Sequence, residues 1–142
     1  MQIDDLTFPP SLHYLVDHDV WARLEADGSA VVGITALGIR LAGEIYMCRP
    51  KAPGSGVERA RALAVVELAK AIVSVKSPLS GTVVAVNPLL ADRPELVHRD
   101  PYGAGWIARI APADWAADAA AMVHGDAVLP AMRHHAWLHR ED

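Results

Sequence analysis

The stretch that decides the fold is Ala62-Leu63-Ala64-Val65-Val66-Glu67-Leu68-Ala69-Lys70-Ala71-Ile72-Val73-Ser74-Val75. Two runs of sheet-forming residues flank Ala69-Lys70-Ala71, and this pattern predicts two strands joined as a hairpin with Lys70 at its tip. A third strand is predicted over residues 82–87, after a Pro- and Gly-containing turn at residues 77–81. Tight hairpin turns usually use Gly, Asn or Asp. None of these stands at the tip, which indicates that the lysine is there for its amine rather than for the bend.

The simplest interpretation of a hairpin lysine is a solvated charge on a sheet edge. The chain, however, has only three lysines, Lys51, Lys70 and Lys76, against ten arginines, so arginine supplies most of its positive charge. Lys76 lies at the far end of its strand, beside the following turn, and is the weaker candidate for a covalent modification. We therefore take Lys70 as the candidate attachment point for a cofactor arm.

The rest of the chain predicts a mainly β fold. Short strand-like runs alternate with turn residues, a pattern typical of a β sandwich or barrel rather than of a parallel sheet. They lie at residues 12–24, 30–34, 44–48 and 106–110, with Asp27-Gly28 as a hairpin turn between the first two. Thr35 is expected to cap a short helix that Gly43 ends.

The pattern changes to helix after residue 111. Pro112 suits the first turn of a helix that Gly125 would end, and Asp114 adds a favourable negative charge there. A second helix is predicted over residues 128–138, with Leu129, Met132 and Ala136 on one stripe. We expect a single domain over residues 1–142, with a β core at about 8–111 and a helical segment at about 112–142.

Bulk composition excludes several classes of function. A net charge of −4 gives no basic footprint for nucleic acid. The single Cys48 cannot form an internal disulfide, and its position within a strand predicts a small buried apolar side chain. The acidic N-terminus does not resemble a signal peptide, and no apolar run is long enough to cross a membrane. These features predict a cytoplasmic protein with neither nucleic acid nor membrane as its partner.

Three histidines near the C-terminus, His134, His135 and His139, are the other conspicuous set. His135 and His139 are one helical turn apart, a spacing that can chelate a metal ion. Without a third ligand of clear spacing, we interpret them as the polar face of a terminal helix and expect no metal.

Four segments, in this order, are similar to the H protein of the glycine cleavage system and to the related H-like lipoate-binding proteins. They are His18-Asp19-Val20-Trp21, then Val32-Gly33-Ile34-Thr35 with Leu41-Ala42-Gly43-Glu44-Ile45, then Val65 to Gly81, and Asp100-Pro101-Tyr102-Gly103-Ala104-Gly105-Trp106. The resemblance covers the chain from about Phe8 into the C-terminal helices. It implies a flattened lipoyl-type β barrel or sandwich hybrid built from hairpins, with short C-terminal helices.

The resemblance also implies a function, that of a lipoyl carrier and not of an enzyme. Lys70 would receive lipoate in amide linkage, and Glu67 would help the lipoate ligase or lipoyl transferase to recognise it. The arm would carry an aminomethyl group from the PLP-dependent glycine decarboxylase to the folate-dependent aminomethyltransferase. Dihydrolipoyl dehydrogenase would then reoxidise it. A biotin carrier is disfavoured because Ala69 and Ala71 replace the methionines that flank a biotinylated lysine.

Several departures from the family pattern leave other functions open. Ser74 stands where the family usually has Asp, and Asp19 belongs to a segment with one inserted residue. Asp19, Val73 and Ser74 are nevertheless the candidates for a resting place of the arm. The inserted residue and the Pro50-Lys51 segment are more similar to lipoate-binding proteins that serve a heterodisulfide-reductase-like complex in sulfur oxidation. A scaffold that is not lipoylated, used only for protein interactions, is the third alternative.

Overall fold

The computed structural model describes residues 2–3 and 5–140. Met1, Asp4, Glu141 and Asp142 fall within the predicted 1–142 domain but lie outside the described residues. The strands in the described part are β1 (Gln2–Ile3), β2 (Leu6–Thr7), β3 (His13–Leu15), β4 (Val20–Leu24), β5 (Ala30–Ile34), β6 (Ile45–Pro50), β7 (Gly56–Val57), β8 (Ala62–Leu68), β9 (Ile72–Lys76), β10 (Gly81–Val86), β11 (Ala108–Pro112) and β12 (Val123–His124). The α-helices are α1 (Ala36–Ala42), α2 (Leu96–Arg99), α3 (Trp115–Ala120) and α4 (Val128–Leu138).

The fold is mainly β, as the sequence predicts, and its two principal sheets are separate rather than closed into one barrel. One sheet has seven strands in the order β12-β3-β4-β5-β11-β10-β7, and the other has three in the order β6-β8-β9. Neighbouring strands in both sheets are antiparallel. The prediction allowed a lipoyl-type β barrel or a sandwich, and the structure is a sandwich.

The main core lies between the two sheets. Alternate residues of β4 and β5, such as Ala22 and Val32, pack in one cluster with Cys48 of β6 and Val66 of β8. The opposite face of β4 and β5 is also covered, because Trp21 and Val31 belong to a second cluster with Phe8, Leu37 and Met132. Burial on both faces explains why β5 is apolar at every position instead of alternating.

The predicted hairpin is formed by β8 and β9, with Val65 opposite Ser74 and Glu67 opposite Ile72. The turn after it, Ser77-Pro78-Leu79, is fully buried, which the sequence did not indicate. The hydroxyl of Ser77 donates to the carbonyl of Leu79 at 2.6 Å. At this turn the chain passes from the three-stranded sheet to β10 of the seven-stranded sheet. Packing of the buried turn therefore sets the position of the hairpin relative to the seven-stranded sheet.

Local signals predicted the elements near α1 correctly. The hydroxyl of Thr35 accepts a hydrogen bond from the N–H of Gly38 at 3.0 Å, which is the expected N-cap. Gly43 ends the helix with a φ of 78°. The hairpin turn at Asp27-Gly28 is also present, and the N–H of Gly28 donates to the carbonyl of Glu25 at 3.0 Å.

The C-terminal part differs from the prediction in its first half. Pro112 does not begin a helix; it is the last residue of β11 and lies opposite Gly81. Helix α3 begins after Asp114, whose carboxylate accepts from the N–H of Ala117, and it ends at Ala120 rather than at Gly125. The strand β12 intervenes and pairs with β3, so tertiary pairing overrides a weak local helix signal.

Helix α4 has the predicted bounds, although its buried face is rotated from the predicted stripe. The buried residues are Val128, Met132 and His135, while Leu129 and Ala136 are only partly buried. His135 is 4% exposed, so the interpretation of all three C-terminal histidines as a polar surface was wrong for this residue.

Ala60 has a φ of +67°, in the left-handed region that favours glycine. Ala60 lies two residues before the start of β8, and its N–H donates to the carbonyl of Ser77 at 2.8 Å. The alanine therefore holds a strained backbone where the chain enters β8.

We expect Ala60→Gly to raise the free energy of unfolding by about 0.5–1 kcal/mol, because relief of the left-handed strain exceeds the entropy that glycine adds to the unfolded chain. Urea titration followed by circular dichroism measures this change. Ala52→Gly is the control, since Ala52 lies in a neighbouring exposed loop without positive φ and should gain nothing. Equal destabilisation by both substitutions would contradict the strain at residue 60.

Candidate functional site

Lys70 lies at the tip of the β8–β9 hairpin, exposed to solvent. The N–H of Leu68 donates to the carbonyl of Ala71 at 2.8 Å, so only Ala69 and Lys70 project beyond the paired strands. Among the described residues, the only ones other than glycine with positive φ are Asp19 and Ala60. The turn is thus made without the left-handed geometry that would demand Gly or Asn, and a lysine is tolerated at its centre.

The amine of Lys70 is available for chemistry. Within residues 2–3 and 5–140, its Nζ forms no ion pair within 4.0 Å. The amine of Lys76, the competing candidate, donates instead to the hydroxyl of Ser74 on the same strand. A group fixed to Lys70 by an amide bond would displace no packed side chain, so the site fits a covalently attached arm.

Glu67 is exposed one position before the end of β8. It lies opposite Ile72 on β9 and opposite Met47 on β6, so its side chain is on the face of the three-stranded sheet that points away from the core. Glu67 and Lys70 are therefore both accessible to one protein that approaches the hairpin tip. The sequence predicted this proximity because they are three residues apart.

Val73 and Ser74 project from opposite faces of β9 because successive side chains in a strand alternate. Val73 lies opposite buried Val66 and is 41% exposed, whereas Ser74 lies opposite exposed Val65. The two candidates for an arm-binding site thus border different surfaces of the same strand.

Asp19, the third such candidate, has a defined partner elsewhere. Its carboxylate is 2.8 Å from Nε2 of His135 on α4, and its backbone carbonyl accepts from the N–H of Thr35 at 2.9 Å. Burial raises the pKa of Asp19, although the hydrogen bond with His135 acts in the opposite direction. Asp19 thus links α4 to the start of β4 and to the cap of α1.

Sequence reasoning missed this interaction, since Asp19 and His135 are 116 residues apart. The ring of His139 lies against that of His135, with 4.4 Å between the centroids. In the part of the chain that the structure describes, no group of three or more His, Cys, Asp or Glu residues is arranged to hold a metal ion. None of the described helices is long and apolar enough to cross a membrane.

A sandwich of short strands that offers one lysine at a solvent-exposed hairpin tip is the arrangement of a carrier domain. Comparison with known proteins agrees with this class. The family model for the glycine cleavage H-protein matches residues 12–135. The chain belongs to the glycine cleavage H-protein family, and it is a carrier protein rather than a catalyst.

Individual relatives support the family assignment. The chain is 47% identical to the glycine cleavage system H protein of Halorhodospira halophila over 106 residues, which are 75% of this chain and 81% of the relative. It is 35% identical to glycine cleavage system H protein 2 of Aquifex aeolicus over 134 residues, 94% and 82% of the two chains. The crystal structure of a glycine cleavage system H protein from Mycobacterium marinum is similar with a TM-score of 0.68 and 28% identity, covering 75% of this chain and 87% of that one.

Cys48 is the only thiol of the chain and lies on the inner face of β6, opposite Val66 of the hairpin. It is 4% exposed, and burial raises the pKa of its thiol to about 12. Since the thiolate is the reactive form, both the burial of Cys48 and its raised pKa disfavour reaction of the thiol in the folded protein.

We expect the native protein to react with a thiol-specific disulfide reagent at pH 8 at least about 100-fold more slowly than the urea-unfolded protein, because at a pKa of about 12 only about one thiol in 10,000 is ionised and access is blocked. Absorbance of the released thiolate measures both rates. Cys48→Ser is the control for background release. Comparable rates in the native and unfolded states would show that the thiol is exposed.

Proposed function

We propose that this chain is the lipoyl carrier of a glycine cleavage system, with lipoate attached by an amide bond to Nζ of Lys70. The observation that carries the proposal is an exposed lysine at the tip of the β8–β9 hairpin, with no ion pair to any residue that the structure describes, in a member of the H-protein family. Lipoate would supply a dithiolane that accepts and releases a group in turn. The protein itself contributes position and presentation.

The residues of the hairpin define what the protein contributes. Because β8 is paired with both β6 and β9, the root of the arm is held by a rigid sheet rather than by a mobile loop. Only Ala69 and Lys70 extend beyond the last inter-strand hydrogen bond, so an enzyme can approach the amine from several directions. The small side chains of Ala69 and Ala71 leave the lysine unobstructed.

Glu67 is proposed as a recognition residue for the enzyme that attaches lipoate, either a lipoate ligase or a lipoyl transferase. Its carboxylate is exposed beside the tip, where such an enzyme must bind. The partners proposed for the loaded carrier are the PLP-dependent glycine decarboxylase, the folate-dependent aminomethyltransferase and dihydrolipoyl dehydrogenase in the cytoplasm. Contacts with each must be transient, because one arm visits all three.

We expect Lys70→Arg to abolish the mass increment of one lipoyl group when the protein is expressed with a lipoylation system. The melting temperature should change little, because the residue is exposed and contributes little packing. Intact-mass spectrometry and thermal unfolding measure the two effects. Lys76→Arg is the matched control and should still gain the lipoyl group.

Two results would contradict the proposal. One is a lipoyl mass increment that persists in Lys70→Arg, and the other is a wild-type protein that is never lipoylated, as expected of an interaction scaffold. Glycine-dependent CO₂ release by the decarboxylase tests the pathway separately. Lipoylation without stimulation of this reaction would favour the sulfur-oxidation carrier instead.

A resting place for the arm is proposed on the side of β9 that carries Val73. Val73 is 41% exposed on this side, three residues after Lys70, and lies opposite buried Val66 of β8. The other two candidates already have partners, since the carboxylate of Asp19 is bound to His135 and the hydroxyl of Ser74 accepts from Lys76. The apolar side chain is therefore the stronger test of docking.

We expect Val73→Asp to leave lipoylation intact while changing the apparent KM or kcat of the partner reactions at least about threefold, because a buried apolar contact of the arm is worth about 1 kcal/mol. Steady-state kinetics with the lipoylated protein measure the effect. Val84→Asp is the control, since Val84 is similarly exposed (48%) but lies on β10 of the other sheet. Unchanged kinetics in Val73→Asp would contradict docking of the arm at Val73.

A further inference from the structure

The charges of this chain are strongly segregated along the sequence. Residues 49–76 contain six cationic side chains, including all three lysines, and only two carboxylates, Glu58 and Glu67. This segment therefore carries a net charge of +4, whereas the whole chain carries −4. The remaining residues must carry −8, so a basic region is set within an acidic protein.

The fold brings part of this positive charge onto one surface. In the three-stranded sheet, Arg49, Val65 and Ser74 form one row across β6, β8 and β9, and all three are exposed. Lys76 is two residues beyond Ser74 on the same face, and its amine donates to the hydroxyl of Ser74. Lys51 follows β6 and lines a shallow hollow with Arg49 and Val65.

This positive charge is not neutralised within the described part of the chain. There, Arg49, Lys51 and Lys76 form no ion pair within 4.0 Å. Arg59, in contrast, is paired with Asp118 at 3.4 Å. The acidic groups nearest to the surface in sequence are Glu58, beside Lys51 in an adjoining hollow, and Glu67 near the tip.

Apolar side chains interrupt the positive charge and extend to the hairpin tip. Ile72 is 70% exposed and Val65 is 39% exposed, both on the outward face. We call Arg49, Lys51, Lys76, Val65 and Ile72 the basic face. From Ile72 to Lys76 it measures about 13 Å along β9, and its Ile72 end lies two residues from Lys70.

We infer that the basic face is a docking surface for a carboxylate-rich patch on an enzyme that acts on the arm at Lys70. This inference rests on the proposed function. Any such enzyme must come close to the hairpin tip, and the basic face begins at that tip. Complementary charge would accelerate encounter and orient the partner, while Ile72 and Val65 would supply the apolar contact at the centre.

Nucleic acid and a second copy of the chain are the two other occupants to consider. Nucleic acid would meet an acidic protein with a net charge of −8 outside this segment. A second copy of the chain could offer its own acidic surface, and the experiment must separate this case from an enzyme partner.

The test uses the decarboxylase, the aminomethyltransferase and the dihydrolipoyl dehydrogenase from the same genome, each purified. The charge-reversal variant is Arg49→Glu with Lys51→Glu and Lys76→Glu, and a milder variant carries Gln at the same three positions. The control variant, Arg93→Glu with Arg99→Glu and Arg133→Glu, makes the same change in net charge on exposed residues elsewhere. Circular dichroism confirms that each variant is folded.

Affinity is measured by calorimetry with unlipoylated protein, so that binding is observed without turnover, and KM is measured with lipoylated protein. For at least one enzyme we expect charge reversal to raise Kd and KM about tenfold or more at about 0.1 M salt, the Gln variant to have an intermediate effect and the control to have little effect. The difference should shrink at about 1 M salt, where the Debye length is only about 3 Å.

Unchanged affinity and KM for all three enzymes in the reversal variant would overturn the inference, as would an equal loss in the control. A salt-sensitive dimer, detected by light scattering and lost only in the reversal variant, with enzyme affinity unchanged, would assign the face to self-association instead. Lipoylation is read separately from intact mass. A protein that is lipoylated and active but insensitive to charge reversal defeats only this inference, whereas absence of lipoylation defeats the proposed function.

Discussion

The constraint on which the structure depends is the pairing of β8 on both of its edges. Its inward residues, Ala64 and Val66, belong to the core, while its outward residues, Val65 and Glu67, remain exposed. A slip of one residue in either pairing would exchange these faces and expose the core. The register therefore sets which side of the sheet meets solvent, and the hydrogen bond that closes the hairpin at Leu68 limits the projecting tip to two residues. The position of the lysine amine follows directly from the packing of the core.

The sequence predicted well the elements that are specified by neighbouring residues. The hairpin tip, the Thr35 cap and the bounds of α4 follow from short-range patterns. Elements that depend on distant partners were missed: β12 has two residues and exists because Tyr14 and His13 lie opposite it. Pro112 is compatible with a helix start, but its pairing opposite Gly81 of β10 makes it the last residue of β11. Tertiary pairing outweighed local propensity at both places.

The candidate site likewise contains residues that the sequence could indicate and a contact that it could not. Lys70 and Glu67 could be predicted together because they are close in sequence and share one strand end. Asp19 could be recognised as a carboxylate of interest, but its partner could not, because His135 approaches it only when α4 packs against the sheet. A polar pair of this kind fixes a helix to a core in one orientation, since misplacing the helix would leave the buried His135 ring and the partly buried Asp19 carboxylate without their hydrogen bond. The same packing explains why the buried face of α4 includes a histidine rather than Leu129.

The net charge of the whole chain hides a concentration of positive charge on the three-stranded sheet. A net charge of −4 excluded a nucleic-acid footprint, yet it averages a segment of +4 with a remainder of −8. Only the strand register reveals that Arg49 and Lys76 belong to one exposed face, since they come from the two edge strands of the sheet. Like charges that are close together on a folded surface raise its energy, and that cost is recovered when a partner supplies the opposite charge. A carrier that must be released by each enzyme benefits from this form of attraction, because exposed charge pairs speed association while adding little to the lifetime of the complex.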